Sequence, residues 1–475
     1  MSYINGMNRD QVLLFPEVLD DYIADNNTVR FIDVYVDSLD LEALGFKYAL
    51  PKETGRPPYN PADMLKLYIY GYINKIRSSR RLEQETYRNV ELMWLLGKLT
   101  PDFKTIADFR KDNAQGLKQV CREFSVLCKK LDLFGRELIG IDGSKFKAVN
   151  SKGRNFNEKK LDGLLKQIDE KVDAYLKELD QQDKVESQLS NPTTEELKEK
   201  IAQLQSRKQQ YKGLVEQLKA SGALQISLTD SESRSMKTKQ GTDVCYNVQI
   251  AVDHKHKLIV EHEVTNEVTD QNQLAEMAKR SKETLEADHL EVTADMGYYN
   301  GDEVKKCLED GIIPYIPKPN TSVNYKLGLF GKEDFIYDSR KDCYYCPAGE
   351  KLNFRFETVE KGRQIRYYST SACQQCLLKS KCTRNKESRR ITRWVHESIM
   401  EEMQQRVREN SDKVKLRKRI VEHPFGTIKR WMEQGYFLTR GLEKVRGEMS
   451  LTVLVYNLKR AINIIGVKEL IVAVS

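Results

Sequence analysis

Three carboxylates follow short apolar runs far apart in the chain. Asp142 ends Glu-Leu-Ile-Gly-Ile-Asp, Asp295 ends Leu-Glu-Val-Thr-Ala-Asp, and Glu422 follows Lys-Arg-Ile-Val. An acid directly after a β-branched run lies at the mouth of a buried strand, where a ligand can approach. Three such groups brought together would hold hard cations through oxygen. Mg²⁺ takes few carboxylates plus water and substrate phosphate, and a pair of ions can serve the attacking and leaving oxygens of a phosphodiester. Taken singly, each acid reads as an exposed loop carboxylate or a helix cap.

The charge pattern points to a polyanion. The 475 residues carry a formal net charge of +8, modest for the length, but the basic residues are grouped. Arg384, Lys386, Arg389, Arg390 and Arg393 form one block, and Lys413, Lys415, Arg417, Lys418 and Arg419 another. One such block alone reads as a solvated face; two on the approach to a candidate catalytic glutamate favour phosphate contact. With 40% hydrophobic and 31% charged residues, the chain has a core and a charged surface rather than the composition of a disordered tract. The first residues lack the order of a secretory signal, and the apolar run near Leu451 is broken by Asn457, Lys459 and Arg460. A cytoplasmic protein is expected, with its nine cysteines reduced.

Reduced, clustered cysteines read as metal ligands. Cys373-Gln-Gln-Cys376 has the two-residue spacing that brings two thiolates to one tetrahedral zinc, and Cys343-Tyr-Tyr-Cys346 supplies a second pair. Cys346 opens a knuckle-like Cys-Pro-Ala-Gly turn, so the preferred structural zinc set is Cys346, Cys373, Cys376 and Cys382, with Cys343 the alternative. The bland reading is a group of unmetallated thiols. Cys121, Cys128, Cys245 and Cys307 are scattered and read as core residues.

The elements that must position these groups follow from periodicity. Residues 1–135 read as an all-helical amino-terminal DNA-binding domain. Asn60 caps a helix that Pro61 starts, a second helix after Ser79 displays Arg80 and Arg81, and Thr105 caps a third. Short helices with exposed arginines suit phosphate contact, though an ordinary bundle explains them equally. Residues 136–475 read as an α/β domain with a mixed sheet. Within 155–225, Leu161, Leu165, Ile168, Val172, Tyr175 and Leu179 form one seam and Leu197, Ile201, Leu204, Tyr211, Val215 and Leu218 another. A breaker lies between them, with Thr193 and Glu196 as a capping box, so an inserted antiparallel helical hairpin is expected. Tyr246–Asp253 and Leu258–Val264 alternate about a turn and read as a β-hairpin, with a helix over 271–286 leading to the strand that ends at Asp295. Residues 320–393 read as a turn-rich, cysteine-rich insertion. Pro424 suits an early helical position for the segment of Glu422, and an amphipathic helix is expected over 451–465.

Three blocks then carry a family resemblance: Ile141-Asp142-Gly143-Ser144, Thr293-Ala294-Asp295-Met296-Gly297-Tyr298, and Val421-Glu422-His423-Pro424-Phe425-Gly426-Thr427-Ile428-Lys429. In order and flanks they resemble the motifs of bacterial insertion-sequence transposases with an Asp-Asp-Glu (DDE) core. The segment from Gly55 to Pro61 and the helices after it resemble that family's amino-terminal domain. The resemblance implies a ribonuclease-H-like fold, the first Asp on the first strand, the second after a later strand and the Glu on a helix beside them. Related transposases carry a Tyr, an Arg and a Lys around this Glu. Lys429 matches the lysine and, two helical turns on, would face the same side as Glu422. Lys415 and Lys418 stand where the tyrosine and arginine are usual, with Arg417 and Arg419 beside them.

The activity so implied is DNA transposition. Asp142, Asp295 and Glu422 would bind two Mg²⁺ ions, with Mn²⁺ a substitute, for cleavage at element ends and transfer of the 3′-hydroxyl into target DNA. Lys429, Arg417, Lys418, Arg419 and Lys415 would hold phosphates of double-stranded terminal-repeat and target DNA. A homodimer on DNA and a nucleoid location are expected. The rivals are a catalytically inactive, transposase-derived DNA-binding protein and a structure-selective nuclease without strand transfer. His423 reads as a packing or hydrogen-bonding neighbour, and Asp230, Glu232 and Asp270 as structural or supporting acids.

Overall fold

The computed structural model of the chain describes residues 17–50, 57–185, 192–320 and 322–474. Six helices come first: α1 (Thr28–Asp37), α2 (Pro61–Ile73), α3 (Ser79–Thr86), α4 (Val90–Leu95), α5 (Phe103–Asp112) and α6 (Ala114–Lys130). The caps explain where they start. Asn60 Oδ1 accepts from Ala62 N at 2.9 Å and Pro61 supplies N1, as expected. At α5 the cap is Asp102 rather than Thr105. Its Oδ1 accepts from Lys104 N and Thr105 N at 3.0 Å, and its carboxylate outcompetes a hydroxyl already inside the first turn. Tyr68, Tyr72, Phe109 and Phe124 fill the space between these helices.

Strand β1 (Leu138–Lys147) is followed by the short β2 (Asn155–Phe156), the long helices α7 (Glu158–Val185) and α8 (Pro192–Ser221), and β3 (Ile226–Ser227), which pairs with β2 and closes the base of the expected hairpin. Leu161, Ile168, Leu197, Ile201 and Leu218 of the two seams are buried. At about 1.5–3 kcal/mol per buried aliphatic side chain, this seam holds a pair whose outer faces are wet. The Thr193 capping box and Leu179 lie outside the residues whose side chains are described.

The main sheet is completed by β4 (Arg234–Thr238), β5 (Gly241–Asp253), β6 (Ile259–Thr265), then α9 (Leu274–Leu285), β7 (Leu290–Thr293), α10 (Gly301–Glu309) and β8 (Ile312–Tyr315). Its order is β6-β5-β1-β7-β8, with β4 on the amino-terminal half of β5. The pairs β6–β5 and β5–β1 are antiparallel, whereas β1–β7 and β7–β8 are parallel. This succession, three antiparallel strands and then two joined by a crossover helix, is the ribonuclease-H-like arrangement. Buried on both faces, β5 reads as a near-continuous run, Val-Cys-Tyr-Asn-Val-Gln-Ile-Ala-Val, rather than an alternating one.

Beyond α11 (Val323–Lys326), the segment expected to be turn-rich is instead a second sheet. It comprises β9 (Ile336–Asp338), β10 (Cys343–Tyr345), β11 (Lys351–Glu360), β12 (Arg363–Ser369) and, after α12 (Lys379–Cys382), β13 (Ile391–Trp394), antiparallel in the order β13-β12-β11-β10-β9. Phe335, Tyr344, Leu352, Tyr368 and Ile391 give it a core of its own.

The chain then returns through α13 (Glu397–Glu409) and α14 (Ser411–Gly426), which lies on β1, and ends in α15 (Leu442–Ile465) and α16 (Val467–Val474). Helix α15 starts earlier than the apolar pattern suggested and is buried nearly all round, not amphipathic, because it is enclosed by α6, β6 and α2. Its fully buried Glu448 accepts from Arg77 Nη2 at 2.7 Å and from the backbone N–H groups of Leu438 and Thr439. That buried ion pair ties the amino-terminal helices to the carboxy-terminal one. Asp230 and Glu232 accept from Gly441 N and Leu442 N at the start of α15, which assigns both acids a structural task.

Candidate active site

Asp142, expected at a strand mouth, lies within β1, which runs on to Lys147, whereas Asp295 follows the end of β7; the two stand at the same level. The parallel register of β1 and β7 pairs Gly140 with Thr293, so two residues further along each strand stand the two aspartates. Adjacent strands lie about 4.8 Å apart, which brings the carboxylates within reach of one cation. Asp142 Oδ1 accepts from Gly143 N at 2.9 Å, and Asp295 Oδ1 caps a tight turn by accepting from Gly297 N at 2.8 Å. Burial raises the Asp142 carboxyl to about 6. Arg417 opposes the rise, whereas the Asp295 charge adds to it. Two crowded acidic oxygens beside one guanidinium are the donor chemistry that a hard divalent ion fits.

Helix α14 lies on the face of β1 that carries Gly140, Asp142 and Ser144. A side chain at Gly140 would meet Val421 and Ile420, so the helix approaches the strand closely there. One turn earlier, Arg417 Nη1 stands 3.5 Å from Asp142 Oδ2, both side chains about one-fifth exposed. Glu422, next to Val421, is rotated away from the sheet. Its side chain is 63% exposed, and Lys418 Nζ lies 3.8 Å from Oε1. Among the described residues, no group of three or more His, Cys, Asp or Glu side chains is set to hold a metal ion. Two acids are therefore brought together and the third stands on the adjoining helix.

Lys429 does not share the side of Glu422. Its Nζ donates to Ser144 Oγ at 2.6 Å and to Lys145 O at 2.7 Å, and lies over the Phe146 ring. Burial lowers its ammonium to about 8. The seven-residue spacing predicts one face only if the helix stays α. Here Pro424 sits near the end of α14 rather than at its beginning, and Thr427–Trp431 is a π-helical turn that changes the phase. His423 Nδ1 is 3.0 Å from Tyr456 Oη, in line with its reading as a packing neighbour.

The opposite face of β1 holds a polar cluster whose function the linear pattern did not reveal. Asp270 Oδ1 accepts from Lys145 Nζ at 3.2 Å, Asn247 Nδ2 at 2.6 Å and Gln249 Nε2 at 2.8 Å. Gln249 Oε1 accepts the hydroxyl of Tyr298, which is fully buried and pushed well above its ordinary pKa by that burial, with the Asp270, Asp142 and Asp295 charges adding. The signal available in sequence was the pair of amides interrupting the apolar run of β5.

The basic blocks divide into structural and exposed members. Arg393 is buried and paired with Glu401, Arg389 reaches the Phe330 and Cys382 carbonyls, and Lys413 is bound to Glu291. Lys415, Lys418 and Arg419 are exposed, as are Arg80 and Arg81. Cys346, Cys373, Cys376 and Cys382 line one small pocket with Phe330, Phe335 and Leu352. Burial raises the Cys382 thiol; Arg389 opposes this, and the other three cysteines add to it. Cys343 is buried in β10 and is not part of that lining, while Cys121, Cys128, Cys245 and Cys307 are buried in the core. No helix among the described residues is long and apolar enough to cross a membrane.

Two family models match the chain: "Transposase domain (DUF772)" over residues 17–112 and "Transposase DDE domain" over 345–462. The second contains Glu422, Arg417 and Lys429, whereas Asp142 and Asp295 lie outside both matches. No curated protein matches. Among solved structures, the chain is similar to the piggyBac transposase in its cryo-EM synaptic complex with hairpin DNA. Identity is 9%, with 94% of this chain and 75% of that chain covered, and the TM-score of 0.30 is too low to carry an argument.

Proposed function

We propose that the chain is a DDE transposase, as its matches to two transposase family models support, and that Asp142, Asp295 and Glu422 are its catalytic carboxylates in Mg²⁺-dependent cutting of element ends and joining of the freed 3′-hydroxyl to target DNA. The observation that carries the reading is the level placement of Asp142, within β1, and Asp295, just past the end of the parallel β7, with Arg417 set against the first. Two divalent ions, when bound, supply charge stabilisation for the attacking and leaving oxygens. Asp142 and Asp295 would hold them from the sheet, with the Arg417 guanidinium beside Asp142. Glu422, now on the exposed side of α14, would be the third carboxylate of the set. Lys429 steadies the end of β1 through Ser144 and Lys145, while Lys415, Lys418 and Arg419 engage backbone phosphates at the rim. Arg80 and Arg81 of the amino-terminal helices extend that contact. The working form is a homodimer on double-stranded DNA at the nucleoid, since two element ends must be joined.

Incubating the protein with Mg²⁺ and DNA carrying the element's own terminal repeats tests this reading. Cleavage and joined product are expected, and Asp142→Ala, Asp295→Ala and Glu422→Ala should each abolish both while leaving DNA binding intact. Cutting without joining would favour the nuclease, and binding without cutting the inactive relative. A structural zinc held by Cys346, Cys373, Cys376 and Cys382 is a second reading that rests on their lining one pocket, although among the described residues these side chains are not set as a metal-holding group. Less than stoichiometric zinc after gentle purification would refute it.

A further inference from the structure

We propose that Asp270 is a positioning residue of the catalytic site, fixing the separation of Asp142 and Asp295 from the far face of the sheet. The proposal rests on the reading of those two aspartates as metal ligands. Asp270 lies in the loop between β6 and α9, remote from both in sequence. Three donors nevertheless converge on its Oδ1, and each belongs to a strand of the site. Lys145 is on β1, three residues beyond Asp142. Asn247 and Gln249 are on β5, directly opposite Lys145 and Gly143 in the antiparallel register.

From Asp270 the hydrogen bonds run in two directions. One passes through Gln249 to the Tyr298 hydroxyl, and the Tyr298 N–H in turn donates to Asp295 O at 3.1 Å. The turn that aims Asp295 is thus held from behind. The other passes through Lys145 to β1 itself. Gln249 can serve both only in one orientation, with its oxygen toward the phenol and its nitrogen toward the carboxylate. Gly143 leaves room for the crossing: a side chain there would come within 2.6 Å of Asp270 Oδ1 and closer still to Gln249 Nε2. A neutral apolar residue at 270 would take one acceptor from each of the fully buried amides, leaving Asn247 with the Glu267 carbonyl and Gln249 with Asn247 Oδ1, and would leave the Lys145 ammonium without its carboxylate.

A structural role alone would cost stability and leave metal affinity untouched. A positioning role costs metal affinity, since removing groups that orient ligands typically weakens binding about 10–100-fold. Mn²⁺ binding to the full chain, followed by electron paramagnetic resonance without DNA, separates the two. Asp270→Ala should raise the Mn²⁺ Kd at least tenfold relative to wild type. Tyr298→Phe, which removes one hydroxyl and preserves shape, should raise it several-fold with an unchanged affinity for a plain DNA duplex. A folded Asp270→Ala protein with wild-type Mn²⁺ affinity would overturn the proposal. If that variant does not fold, wild-type affinity in Tyr298→Phe does so instead. Asp142→Ala is the reference: if wild type binds Mn²⁺ no better than Asp142→Ala, the carboxylate reading itself fails. If Asp142→Ala loses binding and the Asp270 and Tyr298 variants do not, only the positioning role fails.

Discussion

Replacing Gly143 by alanine puts the tightest demand on this site. The added methyl would lie 2.6 Å from Asp270 Oδ1 and within contact of Gln249 Nε2, well inside van der Waals separation. Neither neighbour is free to retreat. Gln249 is fully buried and bonded to Asp270, Asn247 and Tyr298, while Asp270 holds three donors on one oxygen. Displacing the amide breaks at least one buried hydrogen bond, about 1–3 kcal/mol, and overpacking adds about 1–3 kcal/mol. The gain from replacing glycine within a strand offsets only about 0.5–1 kcal/mol. A net loss of roughly 1–5.5 kcal/mol is expected, a large part of the 5–15 kcal/mol typical of a domain. Urea denaturation followed by tryptophan fluorescence measures it, and end cleavage should fall with it because Asp142 is the adjacent residue. Gly213→Ala in α8 is the control: nothing lies within 4 Å of the added methyl, and removing a mid-helix glycine should stabilise by about 1 kcal/mol. A Gly143→Ala protein as stable and active as wild type would refute the packing argument.

Glu448→Ala should destabilise by about 3–5 kcal/mol in the same denaturation assay, because it leaves buried Arg77 without its carboxylate; a change below 1 kcal/mol would contradict that role. Burial lowers the His262 imidazole from 6.5 to about 4, against the opposing charges of Glu261 and Glu263 and with Lys118 and Arg280 assisting. The unfolded chain therefore binds a proton in that interval which the fold does not. The associated stability is full above pH 6.5 and is lost as pH falls toward 4, by about 3 kcal/mol. His262→Asn should lack that part of the acid-induced loss, and an unchanged pH profile would refute the assignment. Arg80→Ala combined with Arg81→Ala should reduce the slope of log K against log salt for duplex binding by about 0.9 per lost phosphate contact, and an unaltered slope would remove both from the interface.

What could be read from the chain followed the range of each interaction. The level placement of Asp142 and Asp295 was legible because each apolar run is contiguous with its acid and β1 and β7 pair in parallel, but the continuation of β1 past Asp142 to Lys147 was not. The helical hairpin was legible because its seams repeat over many turns. The second sheet was not: β11 and β12 alternate weakly, and the turn residues around the cysteines outweigh them in a linear reading. Basic blocks misled in part because a sequence shows charge but not its partner. Arg393 finds Glu401 and Lys413 finds Glu291 only when the chain folds. The direction of Lys429 relative to Glu422 depends on a single wide turn. A seven-residue interval carries Lys429 to the same face in a regular helix, yet the π turn after Pro424 sends the lysine to Ser144 and leaves the glutamate beside Lys418. Asp270 is the extreme case. Its influence on Asp295 runs through Gln249 and Tyr298, which come from a different strand and a different turn, so the sequence could mark it only as a structural or supporting acid beside Asp230 and Glu232, without its partners. The proposed carboxylates are marked by the apolar runs before them, whereas the groups that hold them in place become visible only across the sheet.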